Sequence, residues 1–151
     1  MARILLIGYG NPGRGDDALG WAVAEAMDKL GLPGLEVKLD YQLNVEHAFD
    51  LKGHDAVIFV DAALAGPESF EFRPLTPSDP ATFSSHSVSP SGVLALARDL
   101  FGVVVPGFVL AVRGYEFDEF GAELSPAARR NLEAATAFLK QELTRRSLAA
   151  V

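Results

Sequence analysis

The sequence predicts an α/β protein: a three-layer α/β/α sandwich around a five-stranded, mostly parallel sheet with one antiparallel edge strand. Three observations predict it. Short apolar runs alternate along the chain with segments of helical periodicity. The first run ends directly in Gly8 and Gly10, as a central parallel strand does before it turns into a helix. One run alternates instead of being wholly apolar and is bounded by Pro67 and Pro74, which suits an antiparallel strand at a sheet edge.

Each element has a local cause. Residues 3–7 are a short apolar run and read as a buried strand. Residues 16–30 read as a helix, because Leu19, Val23, Ala26, Met27 and Leu30 recur at helical spacing and Gly31 stops them. Residues 35–39 alternate apolar and charged, the pattern of a half-buried strand. Asn44 can cap a short helix with Val45, Ala48, Phe49 and Leu51 inward. Residues 56–60 are the most strand-like run, apolar and largely β-branched or aromatic, and Asp61 follows it. Residues 69–75 carry Phe70, Phe72 and Leu75 in alternation, and residues 77–87 are polar and irregular. Ser89 and Pro90 open a helix with Val93, Leu94, Leu96, Ala97, Leu100 and Phe101 as its apolar set. Residues 107–112 are a last strand, and residues 114–124 a loop rich in acids and aromatics. Ser125 and Pro126 then open a final helix with Leu132, Ala135, Leu139 and Leu143 inward.

Composition narrows the function. The 151 residues read as a single domain over 1–151, with a sizeable core. A net charge of -7 argues against a nucleic-acid partner, which would call for a basic face. Without cysteine there is no disulfide, no thiolate metal site and no thiol nucleophile, and no obvious serine nucleophile competes. The apolar run at the N-terminus is too short for a signal peptide or a membrane span. A cytoplasmic protein without a membrane partner is the resulting expectation.

In sheets of this kind ligands sit outside the carboxyl ends of the strands. Asp16 and Asp17 follow the first strand, Asp61 the third, and His86 precedes a helix, so all four fall near that edge. Two carboxylate positions and an imidazole suit a hard or borderline divalent metal. Taken singly, each has a structural reading: Asp16 as a helix N-cap, Asp17 as a first-turn acid, Asp61 as a turn cap, His86 as a solvated loop residue. Their joint placement favours function. His47, inside a short helix, and His54, at the opposite sheet edge, fall outside the group. Arg113, Glu116 and Asp118 follow the last strand and could line the same crevice. Tyr41 to Asn44 could touch a bound polypeptide, or form a turn and a helix cap. Gly8, Gly10 and Gly13 match the spacing of a dinucleotide loop, but the acid pair behind them would repel a phosphate.

At Gly8-Tyr9-Gly10-Asn11, Asp16-Asp17, Val60-Asp61-Ala62 and Ser85-His86 the chain resembles the hydrogenase maturation proteases, along nearly its whole length. These are endopeptidases that remove a C-terminal extension from the nickel-iron hydrogenase large subunit. The resemblance implies an aspartic-type peptidase whose partner is a hydrogenase large-subunit precursor. It implies that Asp17, Asp61 and His86 contact nickel carried by that precursor, with Asp16 matching the family's preceding acid, and that no organic cofactor is needed. Ala18 stands where the family often has glycine. Asn11-Pro12-Gly13 is similar instead to the opening of peptidyl-tRNA hydrolases, but the histidine those enzymes need in the following loop is missing. A non-catalytic metal or nucleotide carrier on a flavodoxin-like sheet is the alternative of another class.

Overall fold

β1 (Ile4–Tyr9) lies near the middle of one sheet whose strand order is β2-β1-β3-β5-β4. The structure is a computed structural model that describes residues 2–78, 88–121 and 123–145. The other strands are β2 (Leu35–Asp40), β3 (Ala56–Ala63), β4 (Phe70–Leu75) and β5 (Gly107–Arg113). The β1–β2, β1–β3 and β3–β5 pairs are parallel, and β4 pairs with β5 antiparallel at the edge. The expected fold class is borne out.

Alternation along the central strands divides the core in two. Ile4, Leu6, Ile58, Val60, Leu110 and Val112 face α1 (Leu19–Lys29) and α4 (Pro126–Thr144), where Val23, Met27, Ala135 and Leu139 meet them. Leu5, Ile7, Val57, Phe59 and Val109 face α2 (Val45–Asp50) and α3 (Pro90–Phe101), meeting Ala48, Val93 and Leu96. Strands buried on both faces need the uninterrupted apolar sequences seen in β1 and β3. The antiparallel edge is covered by α4: Phe138 lies 5.0 Å from Phe70 and 5.1 Å from Phe72, between ring centroids.

Local chemistry sets the helix starts. Asn44 caps α2 by accepting from the Glu46 amide. Ser89 caps α3 and Ser125 caps α4, each followed by proline in the first turn. Gly102 ends α3 in the left-handed conformation. Among the described residues no helix is long and apolar enough to cross a membrane.

The structure departs from the sequence expectations in four places. Residues Gly15–Ala18 form a 3-10 turn, and α1 begins only at Leu19. Asp61 lies inside β3, paired with Ala111 of β5, because parallel pairing continues to Ala63. Pro74 lies within β4, where an edge strand tolerates a missing amide. Leu30, Val45, Phe49, Leu100 and Phe101 are exposed although the periodicity turns them inward. The short α2 buries only a narrow stripe, and Phe49 packs edge-on against Phe101 outside it, at 5.4 Å.

Candidate active site

Close packing carries the acid pair to the sheet edge. A Cβ at Gly8 would sit 2.3 Å from the Gly20 carbonyl oxygen and 2.6 Å from the Ala24 Cβ, so β1 and α1 touch through glycine. Gly10 has φ +137, and a Cβ there would sit 2.4 Å from the Asp17 carbonyl oxygen. These two glycines serve strand–helix contact and a tight turn, which accounts for them without a phosphate.

The two adjacent acids have opposite fates. Asp16 is completely buried and points away from the crevice into the structure. Its carboxylate accepts from the amides of Tyr115 (2.8 Å), Glu116 (3.0 Å) and Ser125 (2.8 Å), and from the Ser125 hydroxyl (2.7 Å). Burial alone would raise its pKa, but the Ser125, Glu116 and Tyr115 amides and the Ser125 hydroxyl together hold it below the ordinary carboxylate value. Asp16 therefore caps neither the turn nor α1; it ties the first loop to the loop after β5 and to the start of α4. The same two loops are joined by Asp16 N–H to the Glu116 carbonyl (2.8 Å), Gly121 N–H to the Gly13 carbonyl (2.7 Å) and Arg14 Nε to the Phe117 carbonyl (2.8 Å).

Asp17 is half-buried and accepts the Asn11 amide at 2.9 Å. Its charge acts on Asp61 and opposes the ionisation of that carboxyl. Asp61 accepts from the Ala62 amide through Oδ1 at 2.8 Å, and Tyr9 ends the neighbouring strand at the same edge. Burial, with the Asp17 charge adding to it, pushes the Asp61 carboxyl up to about 6 against the pull of the Ala62 amide. Tyr9 is pushed up as well, by burial and then by the Asp61 charge.

His86 lies outside the described residues. Among the described residues no three His, Cys, Asp or Glu side chains gather closely enough to hold a metal. Two interacting carboxylates, one largely shielded from water, are nevertheless a donor set whose repulsion a divalent cation relieves. The other candidates are engaged elsewhere. Arg113 donates to the Gly66 (2.9 Å) and Gly114 (3.2 Å) carbonyls and lies over the Tyr115 ring. Glu116 and Asp118 are exposed. His47 is buried, its Nδ1 accepting the Asn44 amide at 2.9 Å, and His54 Nε2 meets Glu36 at 2.9 Å. Tyr41 is 64% exposed and packs edge-on against Trp21.

The sequence reading did not single out Tyr9, which ends β1 next to the strand that carries Asp61. The signal available was a hydroxyl at the end of an otherwise aliphatic strand, since a half-buried tyrosine hydroxyl finds a partner.

The fold is an α/β/α sandwich with Asp17 and Asp61 toward the carboxyl edge of its sheet. No protein-family model matches the chain, and neither does any curated protein. Solved structures do. The NiFe hydrogenase maturation protease HycI from Thermococcus kodakarensis KOD1 is 24% identical, with a TM-score of 0.71 over 95% of this chain and 93% of that one. The hydrogenase maturating endopeptidase HybD from E. coli is 20% identical, with a TM-score of 0.70 over 96% and 94%. A hydrogenase 2 maturation peptidase from a Thaumarchaeota archaeon is 25% identical, with a TM-score of 0.69 over 94% and 98%. The resemblance read from the sequence is thereby borne out in three dimensions: the chain has the fold of the NiFe hydrogenase maturation proteases.

Proposed function

We propose that the protein is a hydrogenase maturation endopeptidase, acting in the cytoplasm on a hydrogenase large-subunit precursor after nickel has been inserted. One observation carries the reading. Asp17, after β1, and Asp61, late in β3, lie toward the carboxyl edge of the sheet in a fold shared with maturation proteases.

Nickel belongs to the substrate in this reading. Asp17, Asp61 and His86 contact it, consistent with its acceptance of carboxylate and imidazole ligands. The two acids repel each other, and this favours the arrival of a cation over that of a neutral or anionic ligand. Binding the nickel centre positions the C-terminal extension of the precursor in the crevice, so that cleavage follows metal insertion. Asp16 supports the site by fixing the loop that carries Asp17.

The test is precursor processing in cells producing D17A, D61A or H86A protein. Each substitution is expected to leave the precursor uncleaved, with activity reduced by about 100-fold or more, since losing even a partner of a metal ligand costs roughly 10- to 100-fold. Normal processing by all three variants would remove the site. Purified protein that binds nickel but never shortens a precursor would favour a carrier.

A further inference from the structure

The two edges of the sheet are guarded differently. β4 carries Pro74, which has no amide to offer, and its Phe70 and Phe72 pack against Phe138 of α4. β2 has no proline, and among the described residues no strand lies beyond it. Its backbone alternates between two directions. The Gly34 and Asp40 carbonyls accept the Ile4 (2.8 Å) and Gly10 (3.2 Å) amides, so the even-numbered positions bond to β1. Leu35, Val37 and Leu39 turn their carbonyls outward, and Val37 and Leu39 their amides as well; the Leu35 amide bonds back to the Leu32 carbonyl at 3.3 Å. The side chains divide in the same way. Leu35 and Val37 pack on the α1 side of the sheet, and Leu39, next in that row, is 38% exposed. Glu36 and Lys38 stand on the α2 side, where Lys38 reaches Asp50 at 3.4 Å, and their side chains keep 47% and 37% of their surface exposed.

We propose that this edge pairs with the same edge of a second copy of the chain, antiparallel about a two-fold axis through Val37, making one continuous sheet of the two. The pattern of charge selects both the occupant and the register. With the axis at Val37, Glu36 of one copy faces Lys38 of the other, and the symmetry makes that contact twice. Leu35 faces Leu39, so the apolar row also continues across the boundary. Moving the axis by one residue sets Glu36 against Glu36 or Lys38 against Lys38. The two ion pairs fall at the positions without mutual hydrogen bonds, where cross-strand side chains stand closest. The outward groups of Leu35, Val37 and Leu39 meet their counterparts and supply the ladder. A lysine on an edge strand ordinarily keeps a second strand away. Here the acid two residues before it gives it a mate. One strand pair is a small interface, so the association is reversible and depends on concentration.

The test is sedimentation velocity of the full chain from micromolar to submillimolar concentration, with a thermal melt of each variant. Wild-type protein is expected to dimerise. K38E sets acid against acid and E36K sets lysine against lysine. Each is expected to associate about 10-fold more weakly or worse, since opposite charges across a strand pair help and like charges hinder. An equimolar mixture of K38E and E36K is expected to form the heterodimer, because every cross-strand pair is then of opposite sign. Misfolding, which the melts read, would not be repaired by mixing. In the wild type, amide exchange at Val37 and Leu39 should slow as concentration rises, while that of Lys38, bonded to β1, stays the same. Wild-type protein that remains monomeric overturns the proposal, as does dimerisation that K38E and E36K leave intact or that their mixture fails to restore. Val37 and Leu39 amides protected only when a precursor polypeptide is added would also overturn it, giving the edge to that chain instead.

Discussion

At the scale of single residues, two neighbouring aspartates are turned to different tasks by what they touch. Asp16 has four donors and is fully buried; Asp17 has one amide donor and a charge that opposes the ionisation of Asp61. Asp61 is the group whose chemistry is tuned. With a folded value of about 6 against an ordinary 3.8, it protonates in a range where most carboxyls stay ionised. Removing the Asp17 charge is expected to lower it, because that charge opposes ionisation. Carbon-detected NMR titration of the Asp61 carboxyl in wild-type and D17N protein measures this, and an unchanged or higher value in D17N would contradict the coupling. The linkage has a definite sign. A carboxyl whose folded pKa is raised favours the folded state at low pH, and that contribution is lost as pH rises from about 4 through about 6. Substitution of Asp61 by asparagine should therefore raise the melting temperature at pH 8 and not at pH 4. Nickel uptake by the wild-type protein should fall away below about pH 6, as Asp61 takes up its proton.

At the scale of elements, the connections after β1 and β5 form one unit. Asp16 is the pin: it joins the 3-10 turn to the Tyr115–Glu116 backbone and to the first turn of α4. Ser125 is used twice, its hydroxyl donating to Asp16 and accepting from the Ala128 amide. Replacing Asp16 with alanine leaves the buried Ser125 amide and hydroxyl, and the part-buried Tyr115 and Glu116 amides, without this acceptor, an expected loss of about 3 kcal/mol measured by urea unfolding at pH 7. A loss below about 1 kcal/mol would show that water replaces the carboxylate and that the pin is dispensable. Because the folded pKa of Asp16 is lowered, its stabilisation is full above the ordinary carboxylate value and is lost as pH falls through the folded one. Its partners lie about a hundred residues away, so its sequence reading as an N-cap had only the local half of the evidence.

At the scale of the whole molecule, the sheet is strongest at its centre. β1, β3 and β5 are paired on both sides and largely buried, whereas β4 has one partner and alternates half-buried with exposed residues. Hydrogen exchange should therefore be slowest in Leu5, Leu6, Ile58 and Phe59 and distinctly faster in β4. Equal protection across the sheet would contradict a weak edge. The chain carries a net charge of -7, which favours solubility.

Much of this was legible in the residues. Apolar runs located β1, β3 and β5, because strands buried on both faces tolerate few polar residues, and alternation located the half-buried β2 and β4. Serine, asparagine and proline marked the starts of α2, α3 and α4, because capping is a contact between near neighbours. That Asp17 and Asp61 fall toward one sheet edge was also legible, since strand ends converge there whatever the details. What the sequence could not reveal was side-chain partnership across the fold. The turn of Asp16 into the protein and the continuation of β3 past Asp61 both depend on register between segments distant along the chain. Local periodicity carries propensity and burial; only the packed sheet decides which donor meets which acid.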